Sequence, residues 1–278
     1  MDIPLNSIIH GDCISVMQKM PDNSVDLVIA DPPYNLSKGT AWKWDNSAHL
    51  PGMGGNWNKV MEDWDNLDIV EYFKFTSLWL AEVKRITKPT GSIWTFGSYH
   101  NIGLVNFICQ ILDIEIINEV VWYKRNAFPN LSGRRLTASH ETILWSHPHK
   151  GGDRKYYFNY EESKFGDYSY DRLKTPEKQM RTVWDIPNNK ERREIEFGKH
   201  PTQKPLRLLK RMIQLTSKQG DLILTPFAGS GSECLAAMEL GRNYIGIEIE
   251  SKFVDLAKLR LKTPQTELDL SRLAVFDA

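Results

Sequence analysis

Two short segments that are apolar almost from end to end constrain the fold of this chain more than any other feature. They are VDLVIA (Val25–Ala30) and LIL (Leu222–Leu224). Strands without a polar face are buried on both sides, as in the centre of a parallel sheet covered by helices. Further β-branched runs alternate with longer helical stretches, which is typical of an α/β protein. We therefore expect a doubly wound, mostly parallel, seven-stranded Rossmann-like sheet.

The hydrophobic pattern places the individual elements. The predicted strands are Ser7–His10, Val25–Ala30, Ser92–Phe96, Ile116–Trp122, Thr142–Trp145, Leu222–Leu224 and Tyr244–Ile247. The predicted helices are Ile14–Lys19, Asp68–Thr87, Asn101–Leu112, Pro205–Lys218, Ser230–Leu240 and Lys252–Leu261.

Two segments interrupt this alternation and suggest the domain organisation. One is a loop rich in Gly, Trp and Asn over residues 37–64, and the other is a basic, aromatic stretch that ends near residue 199. We predict a main domain formed by residues 1–126 and 200–262, an inserted region over 127–199 and a C-terminal tail over 263–278.

Composition excludes several classes of protein. The 278 residues contain no apolar run near the roughly 18 residues that a membrane helix needs, and the N-terminus lacks the pattern of a signal peptide. Three cysteines far apart in the sequence argue against a disulfide framework. No His/Cys cluster has the spacing of metal ligands, so no metal site is expected. We expect a soluble, cytoplasmic protein without a membrane partner.

The formal net charge is zero, but the charges are unevenly distributed. Between Trp122 and Arg211 there are 20 Lys and Arg against 11 Asp and Glu, whereas the rest of the chain has 15 against 24. Such asymmetry suggests one basic face that meets phosphates and a separate acidic body. A solvated, lysine-rich surface would explain the charge equally well.

The tetrapeptide Asp31-Pro32-Pro33-Tyr34 directly follows a predicted buried strand. Ligands of open α/β sheets bind at the carboxyl ends of strands. Asp31 offers a carboxylate that can accept a hydrogen bond from an exocyclic amine. The prolines stiffen the chain, so that the Pro32 carbonyl can serve as a second acceptor, and Tyr34 offers a face on which an extruded base can stack. The alternative is a proline-rich turn with a surface tyrosine.

A second motif, Phe227-Ala228-Gly229-Ser230-Gly231, follows the strand Leu222–Leu224 and precedes a helix. Its glycines allow a tight turn, and the helix N-terminus presents free N–H groups. The third glycine of a dinucleotide fingerprint is Cys234 here and no Walker lysine follows Gly231, so neither NAD nor a triphosphate fits well. Glu248 is placed to bind ribose hydroxyls, although it could be an ordinary surface carboxylate. These residues favour a nucleoside cofactor without pyrophosphate, with S-adenosylmethionine as the natural candidate.

Together with the block His200-Pro201-Thr202-Gln203-Lys204-Pro205, these two motifs closely resemble the amino-methyltransferases of DNA. The acceptor motif comes first, the basic segment second and the cofactor loop last. That order resembles the permuted β class of adenine-N6 methyltransferases from restriction–modification systems. The resemblance covers about Ser7 to Leu261.

The resemblance implies a role for each matching residue. Asp31, Pro32, Pro33 and Tyr34 would be catalytic. Asp12 would bind the cofactor's adenine, and Thr202 and Lys204 its methionine carboxylate. Without the resemblance, Asp12 would be interpreted as a helix N-cap and Lys204 as a solvated lysine. The predicted cofactor-binding residues are Asp12, Cys13, Thr202, Lys204, Phe227, Ala228, Gly229, Ser230, Gly231 and Glu248.

This sequence departs from the family pattern in the cofactor loop. The family usually has Asp-Pro-Phe, where this chain has Thr225-Pro226-Phe227. A carboxylate that would organise the loop and the cofactor's ammonium group is therefore missing. Ser232-Glu233 stands where paired hydroxyl residues are common, and a glutamate in the first helical turn suits the helix dipole but not an anionic ligand.

Residues 127–199 would form the target-recognition region, because arginines read guanine edges and lysines neutralise phosphates. The alternative is a solvated lid. The predicted DNA-binding residues are Arg134, Arg135, Lys155, Arg172, Lys174 and Arg181. The sequence most resembles methyltransferases that act on short GATC-type sites. This resemblance is compatible with a homodimer and with a cognate endonuclease that acts separately on the same site.

The expected reaction is methyl transfer from S-adenosylmethionine to N6 of a flipped-out adenine in DNA. N4-cytosine methylation uses the same chemistry, although Ser at the position of Asp31 is the family tendency for cytosine. RNA or protein methylation is a more distant alternative, for which Asn commonly takes that position. A non-catalytic DNA-binding regulator that retains the fold is the alternative from another class.

Overall fold

The computed structural model describes residues 3–35, 67–127, 129–130, 134–149, 155–188, 192–198 and 203–262. The predicted loop over 37–64, the predicted tail over 263–278 and Thr202 lie outside the described residues.

Eight described strands form one sheet. They are β1 (Ser7–His10), β2 (Val25–Ala30), β3 (Thr87–Gly97), β4 (Glu115–Tyr123), β5 (His140–His147), β6 (Val183–Asp185), β7 (Leu222–Thr225) and β8 (Asn243–Glu248). Their order is β1-β8-β7-β2-β3-β5-β4-β6. β5 runs antiparallel to both its neighbours, and all the other pairs are parallel. The α/β fold with a mostly parallel sheet is confirmed.

The predicted count of seven strands is wrong by one, because β6 is an eighth strand. It has only three residues and pairs with β4 through Trp122 and Trp184. A strand this short gives no hydrophobic period that could be recognised in the sequence. Both β5 and β6 lie within residues 127–199, so this predicted insertion contributes two strands to the central sheet.

The described helices are α1 (Cys13–Met17), α2 (Ile69–Ile86), α3 (Ile102–Ile111), α4 (Tyr160–Phe165), α5 (Arg192–Ile195), α6 (Leu206–Thr216), α7 (Ser232–Glu239) and α8 (Ser251–Lys262). All six predicted helices are present within a few residues of their expected bounds. The helices α4 and α5 were not predicted, because they have only six and four residues. Among the helices of the described ranges, none is long and apolar enough to cross a membrane.

The strand β2 shows why the sheet is covered on both faces. Successive side chains of a strand point to opposite faces. Leu27 and Ile29 belong to the hydrophobic core that includes α6 and α7, whereas Val25, Val28 and Ala30 belong to the core that includes α1, α2 and α3. All five are fully buried. The five apolar residues of β2 therefore serve two cores.

The topology brings four strand ends together. β1, β8, β7 and β2 are consecutive, parallel neighbours in the sheet. Their carboxyl ends therefore meet at one edge, although almost two hundred residues separate β2 from β7 in the sequence. This edge is the place where an open α/β sheet binds its ligand.

Candidate functional site

A cavity lies at this edge of the sheet and collects the motifs that were distant in sequence. It measures about 190 Å³, and because a water needs about 10–15 Å³ on this scale, a ligand of nucleoside size has room. The motif residues in its lining are Asp12, Cys13, Asp31, Pro32, Pro33, Tyr34, Lys204, Phe227, Ala228, Gly229, Ser230 and Glu248. The tetrapeptide and the glycine loop thus share one cleft.

The Asp31 carboxylate is held by two side chains. The Tyr34 hydroxyl donates to Oδ1 at 2.8 Å, and the Lys204 ammonium donates to Oδ2 at 2.6 Å. Lys204 was predicted to contact the cofactor's carboxylate, but in this structure its Nζ lies against Asp31. Its side chain is 3% exposed, which makes it a buried counter-charge rather than a solvated lysine.

The prolines differ in the partners of their carbonyl groups. The Tyr72 hydroxyl, on α2, donates to the Pro33 carbonyl at 2.7 Å and so fixes the loop after β2. No described residue donates a hydrogen bond to the Pro32 carbonyl. Because Pro32 lines the cavity, its carbonyl remains available as an acceptor.

Glu141, on β5, is a residue of the site that sequence reasoning missed. Its Oε2 accepts from the Tyr34 hydroxyl at 3.1 Å and lies 3.5 Å from Lys204 Nζ, while its Oε1 accepts from Lys124 at 3.0 Å. Burial would raise the pKa of Glu141, but the Lys204 and Lys124 ammonium groups outweigh it and lower that pKa. No local motif marks this residue, because it reaches the tetrapeptide only through the pairing of β5 with β3.

The pKa of Lys204 is raised by the same network. Burial alone would lower this pKa, but the carboxylates of Asp31 and Glu141 outweigh burial. Lys204 therefore stays charged between two carboxylates, and its ammonium group holds both at fixed positions.

The glycine loop is held against the end of β8 by Glu248. The Gly229 N–H donates to Glu248 Oε2 at 2.7 Å, and the Glu250 N–H donates to Oε1 at 2.8 Å. Burial raises the pKa of Glu248 and outweighs these hydrogen bonds. Each carboxylate oxygen can accept more than one hydrogen bond, so Glu248 can still receive a ligand hydroxyl.

Gly231 serves the packing of this loop and is not among the residues that line the cavity. It is the N-cap of α7 with φ of +74°, a conformation that disfavours other residues. A Cβ at this position would lie 2.9 Å from Ala257 Cβ on α8. The glycine therefore lets α8 approach the loop closely.

Asp12 and Cys13 form the wall at the end of β1. Asp12 Oδ1 accepts from the Ser15 N–H at 2.8 Å and so caps α1, while Asp12 also lines the cavity. The N-cap interpretation and the ligand interpretation are therefore compatible. Burial raises the pKa of the Cys13 thiol to about 12, so Cys13 faces the cavity as a neutral group.

Phe227 contributes an aromatic surface to the cavity. Its ring meets Trp79 edge-on with centroids 5.5 Å apart and Phe75 at 6.1 Å. Both partners are on α2, which fixes the orientation of the Phe227 ring.

Glu233, on α7, also lines the cavity and is 4% exposed. Burial, followed by the charge of Asp31, raises its pKa to about 7, while Lys204 and Arg260 act in the opposite direction. From the sequence, Glu233 was expected to suit the helix dipole but not an anionic ligand, and no role in the site was predicted for it. The lining thus includes four carboxylates and one ammonium group: Asp12, Asp31, Glu233, Glu248 and Lys204.

The predicted DNA-binding residues are not part of this cavity. Five of them are exposed: Arg134, Arg135, Lys155, Arg172 and Arg181. Lys174 differs, because its ammonium group donates to the carbonyls of Lys164, Thr175 and Lys178 at 2.9–3.0 Å. In this conformation Lys174 stabilises its own loop.

Comparisons with known proteins identify the class of this fold and cavity. A family model described as DNA methylase matches residues 25–259, which is most of the chain. The chain therefore belongs to this family of DNA methylases.

Individual relatives agree with this assignment. The chain is 42% identical over 262 residues to the Type II methyltransferase M.HinfI of Haemophilus influenzae, with 93% of this chain and 68% of that protein covered. It is 38% identical over 259 residues to the Type II methyltransferase M2.DpnII of Streptococcus pneumoniae, with 92% and 89% covered. Among solved structures, the complex of M1.HpyAVI with SAM is 25% identical with a TM-score of 0.63, covering 92% of this chain and 99% of that one.

Proposed function

We propose that this DNA methyltransferase transfers a methyl group from S-adenosylmethionine to N6 of an adenine that is flipped out of DNA. The order of its motifs, with the tetrapeptide at residues 31–34 and the cofactor loop at 227–231, supports its placement in the permuted β class. The observation that carries the proposal is that Asp31, a partly buried carboxylate, lines the same cavity as the glycine loop.

The charge of the cavity supports the choice of cofactor. Four carboxylates and one ammonium group line it, which gives a negative potential. A cofactor with phosphate groups would be repelled, whereas a sulfonium compound would be attracted. Glu248 is placed for the ribose hydroxyls, Asp12 for the adenine ring, and Phe227 for apolar contact. When bound, S-adenosylmethionine supplies the methyl group.

The residues of the tetrapeptide position the acceptor. Asp31 and the Pro32 carbonyl accept hydrogen bonds from the amino group, and this directs its lone pair toward the methyl group. Their negative and dipolar charge stabilises the positive charge that develops on the amino nitrogen in the transition state. Catalysis here consists of orientation and electrostatics without a covalent enzyme intermediate.

Tyr34 supports the flipped base. Its hydroxyl is tied to Asp31 and Glu141, so the ring has a fixed orientation. Stacking of a base on an aromatic ring contributes about 1–3 kcal/mol, which offsets part of the few kcal/mol that flipping costs.

The exposed arginines and lysine at positions 134, 135, 155, 172 and 181 are proposed to contact DNA, within a target-recognition region over residues 127–199. Exposed guanidinium groups can read guanine edges or neutralise phosphates. Charge reversal at two of them should weaken DNA binding and reduce its dependence on salt.

The decisive experiment is methylation of DNA with labelled S-adenosylmethionine, followed by digestion and identification of the modified nucleoside. N6-methyladenine is expected, and N4-methylcytosine would overturn the proposed base specificity. Asp31→Ala should retain DNA binding and lose methylation. Near-normal turnover in this variant would refute the role of Asp31.

A further inference from the structure

The four carboxylates that line the cavity differ in their partners. Asp31 is bound by Lys204 and Tyr34. Glu248 accepts two backbone hydrogen bonds, and Asp12 caps α1. Each of these three therefore has a role within the protein fold.

Glu233 has no such role. No described residue donates a hydrogen bond to its carboxylate, apart from its own backbone N–H. The neighbouring guanidinium group of Arg260 is directed elsewhere, since it donates to the Ser230 carbonyl and to the hydroxyls of Ser230 and Ser232. A carboxylate that is 4% exposed and accepts only from its own backbone N–H is costly to bury, unless a ligand supplies further donors.

Glu233 lies in the first turn of α7 and places a carboxylate on the wall of the cavity. Thr225, where the family pattern has an acidic residue, is fully buried and is not among the residues that line the cavity. Glu233 is therefore the carboxylate of the described lining that is left for a cationic part of a ligand.

We propose that Glu233 binds the α-ammonium group of the methionine part of S-adenosylmethionine. This inference rests on the proposed function. An ammonium group would donate hydrogen bonds to a carboxylate that otherwise has only its own backbone N–H. Lys204, the one ammonium group of the described lining, is bound to Asp31 and, as a cation, would repel that group.

Three ligands separate the amino-acid end of the cofactor from its sulfonium. S-adenosylmethionine has the ammonium group, the α-carboxylate and the sulfonium, S-adenosylhomocysteine has the ammonium group and the α-carboxylate, and 5′-methylthioadenosine has none of the three. Since one carboxylate repels another, a loss of affinity on Glu233→Gln that spares 5′-methylthioadenosine is assigned to the ammonium group. Their affinities for the wild type and for Glu233→Gln are measured by calorimetry. The control is Glu239→Gln on the same helix, whose carboxylate pairs with Lys210 and lies outside this cavity.

Glu233→Gln should bind S-adenosylmethionine and S-adenosylhomocysteine about ten- to a hundredfold more weakly, as expected for a hydrogen bond between charged groups. Its affinity for 5′-methylthioadenosine should be unchanged, which also shows that the cavity is intact. Glu239→Gln should bind all three ligands like the wild type.

Other outcomes overturn the inference. A loss confined to S-adenosylmethionine would place Glu233 near the sulfonium, and an equal loss for all three ligands would give it a role in the architecture of the cavity. Unchanged affinities would show that Glu233 does not touch the cofactor. If the wild type binds none of the three ligands, the proposed function itself fails.

Discussion

A buried ion pair between Asp171 and Arg211 gives the sharpest prediction for stability. Arg211 NH1 donates to Asp171 Oδ2 at 2.6 Å, and the two side chains are 1% exposed or less. Asp171 Oδ1 also accepts from the backbone N–H groups of Leu173 at 2.9 Å and Asp185 at 3.1 Å. The guanidinium group lies 4.4 Å from the centre of the Tyr168 ring. The pair therefore connects residues 168–185 to α6.

Asp171→Ala should lower the free energy of unfolding by about 3–5 kcal/mol, because it leaves a buried guanidinium group without its counter-charge. For a chain of this size, each kcal/mol corresponds to roughly 2–4 °C in Tm. Urea unfolding followed by tryptophan fluorescence measures the loss. Asp22→Ala is the control, since Asp22 pairs with Arg85 at the surface and should cost less than about 1 kcal/mol.

The double variant Asp171→Leu with Arg211→Met tests the cause. Replacing both charges by apolar side chains should recover the part of the lost stability that comes from the unpaired guanidinium group. A single variant that loses less than about 1 kcal/mol would refute the reasoning. A double variant no more stable than the single one would assign the loss to the backbone N–H groups of Leu173 and Asp185, which lose their acceptor in both variants, and not to the buried charge.

Three further predictions concern the site. Glu141→Gln should lower kcat about tenfold or more, because Lys204 and Tyr34 lose a charged partner. The affinity for the cofactor, measured by calorimetry, should stay constant. Unchanged single-turnover rates would contradict this prediction. Gly231→Ala should lower the free energy of unfolding by about 1–2 kcal/mol because of its backbone conformation. The close contact of the new Cβ with Ala257 should lower it further. Gly220→Ala, at φ of +81° with open space around it, should show only the backbone cost in urea unfolding. Because the pKa of Glu233 is raised to about 7, its carboxylate ionises as pH rises through that value. Affinity for S-adenosylmethionine should therefore increase between about pH 6 and pH 8, and Glu233→Gln should lack this step.

The central sheet could be predicted from the sequence because the apolar composition of its strands indicates that they are buried. β2 is apolar at positions that serve both cores, and β1 and β2 begin and end at the predicted residues. The motifs after β2 and β7 could be placed in one cavity, since the ends of parallel strands converge. β6 and α5 could not be predicted, because three or four residues carry no periodicity.

Local sequence patterns could not predict the network of charged side chains in the site. Lys204 was assigned to the cofactor, whereas its ammonium group lies on Asp31, which depends on how α6 approaches β2. Glu141 and Lys124 enter the site through strand pairing. Tyr168 and Tyr170, within the basic segment, lie against the buried Arg211. Long-range packing decides which polar residues come into contact, and the spacing of these residues in the sequence does not predict those contacts.

The pairing of β1 with β8 has a consequence for how the enzyme matures. β1 is synthesised more than two hundred residues before its neighbour in the sheet, Asn243–Glu248. Contacts of such long sequence separation form late and slowly. A nascent chain therefore exposes the tetrapeptide well before the site for the methyl donor can form, and we expect no methyl transfer until β8 has been synthesised and has paired with β1.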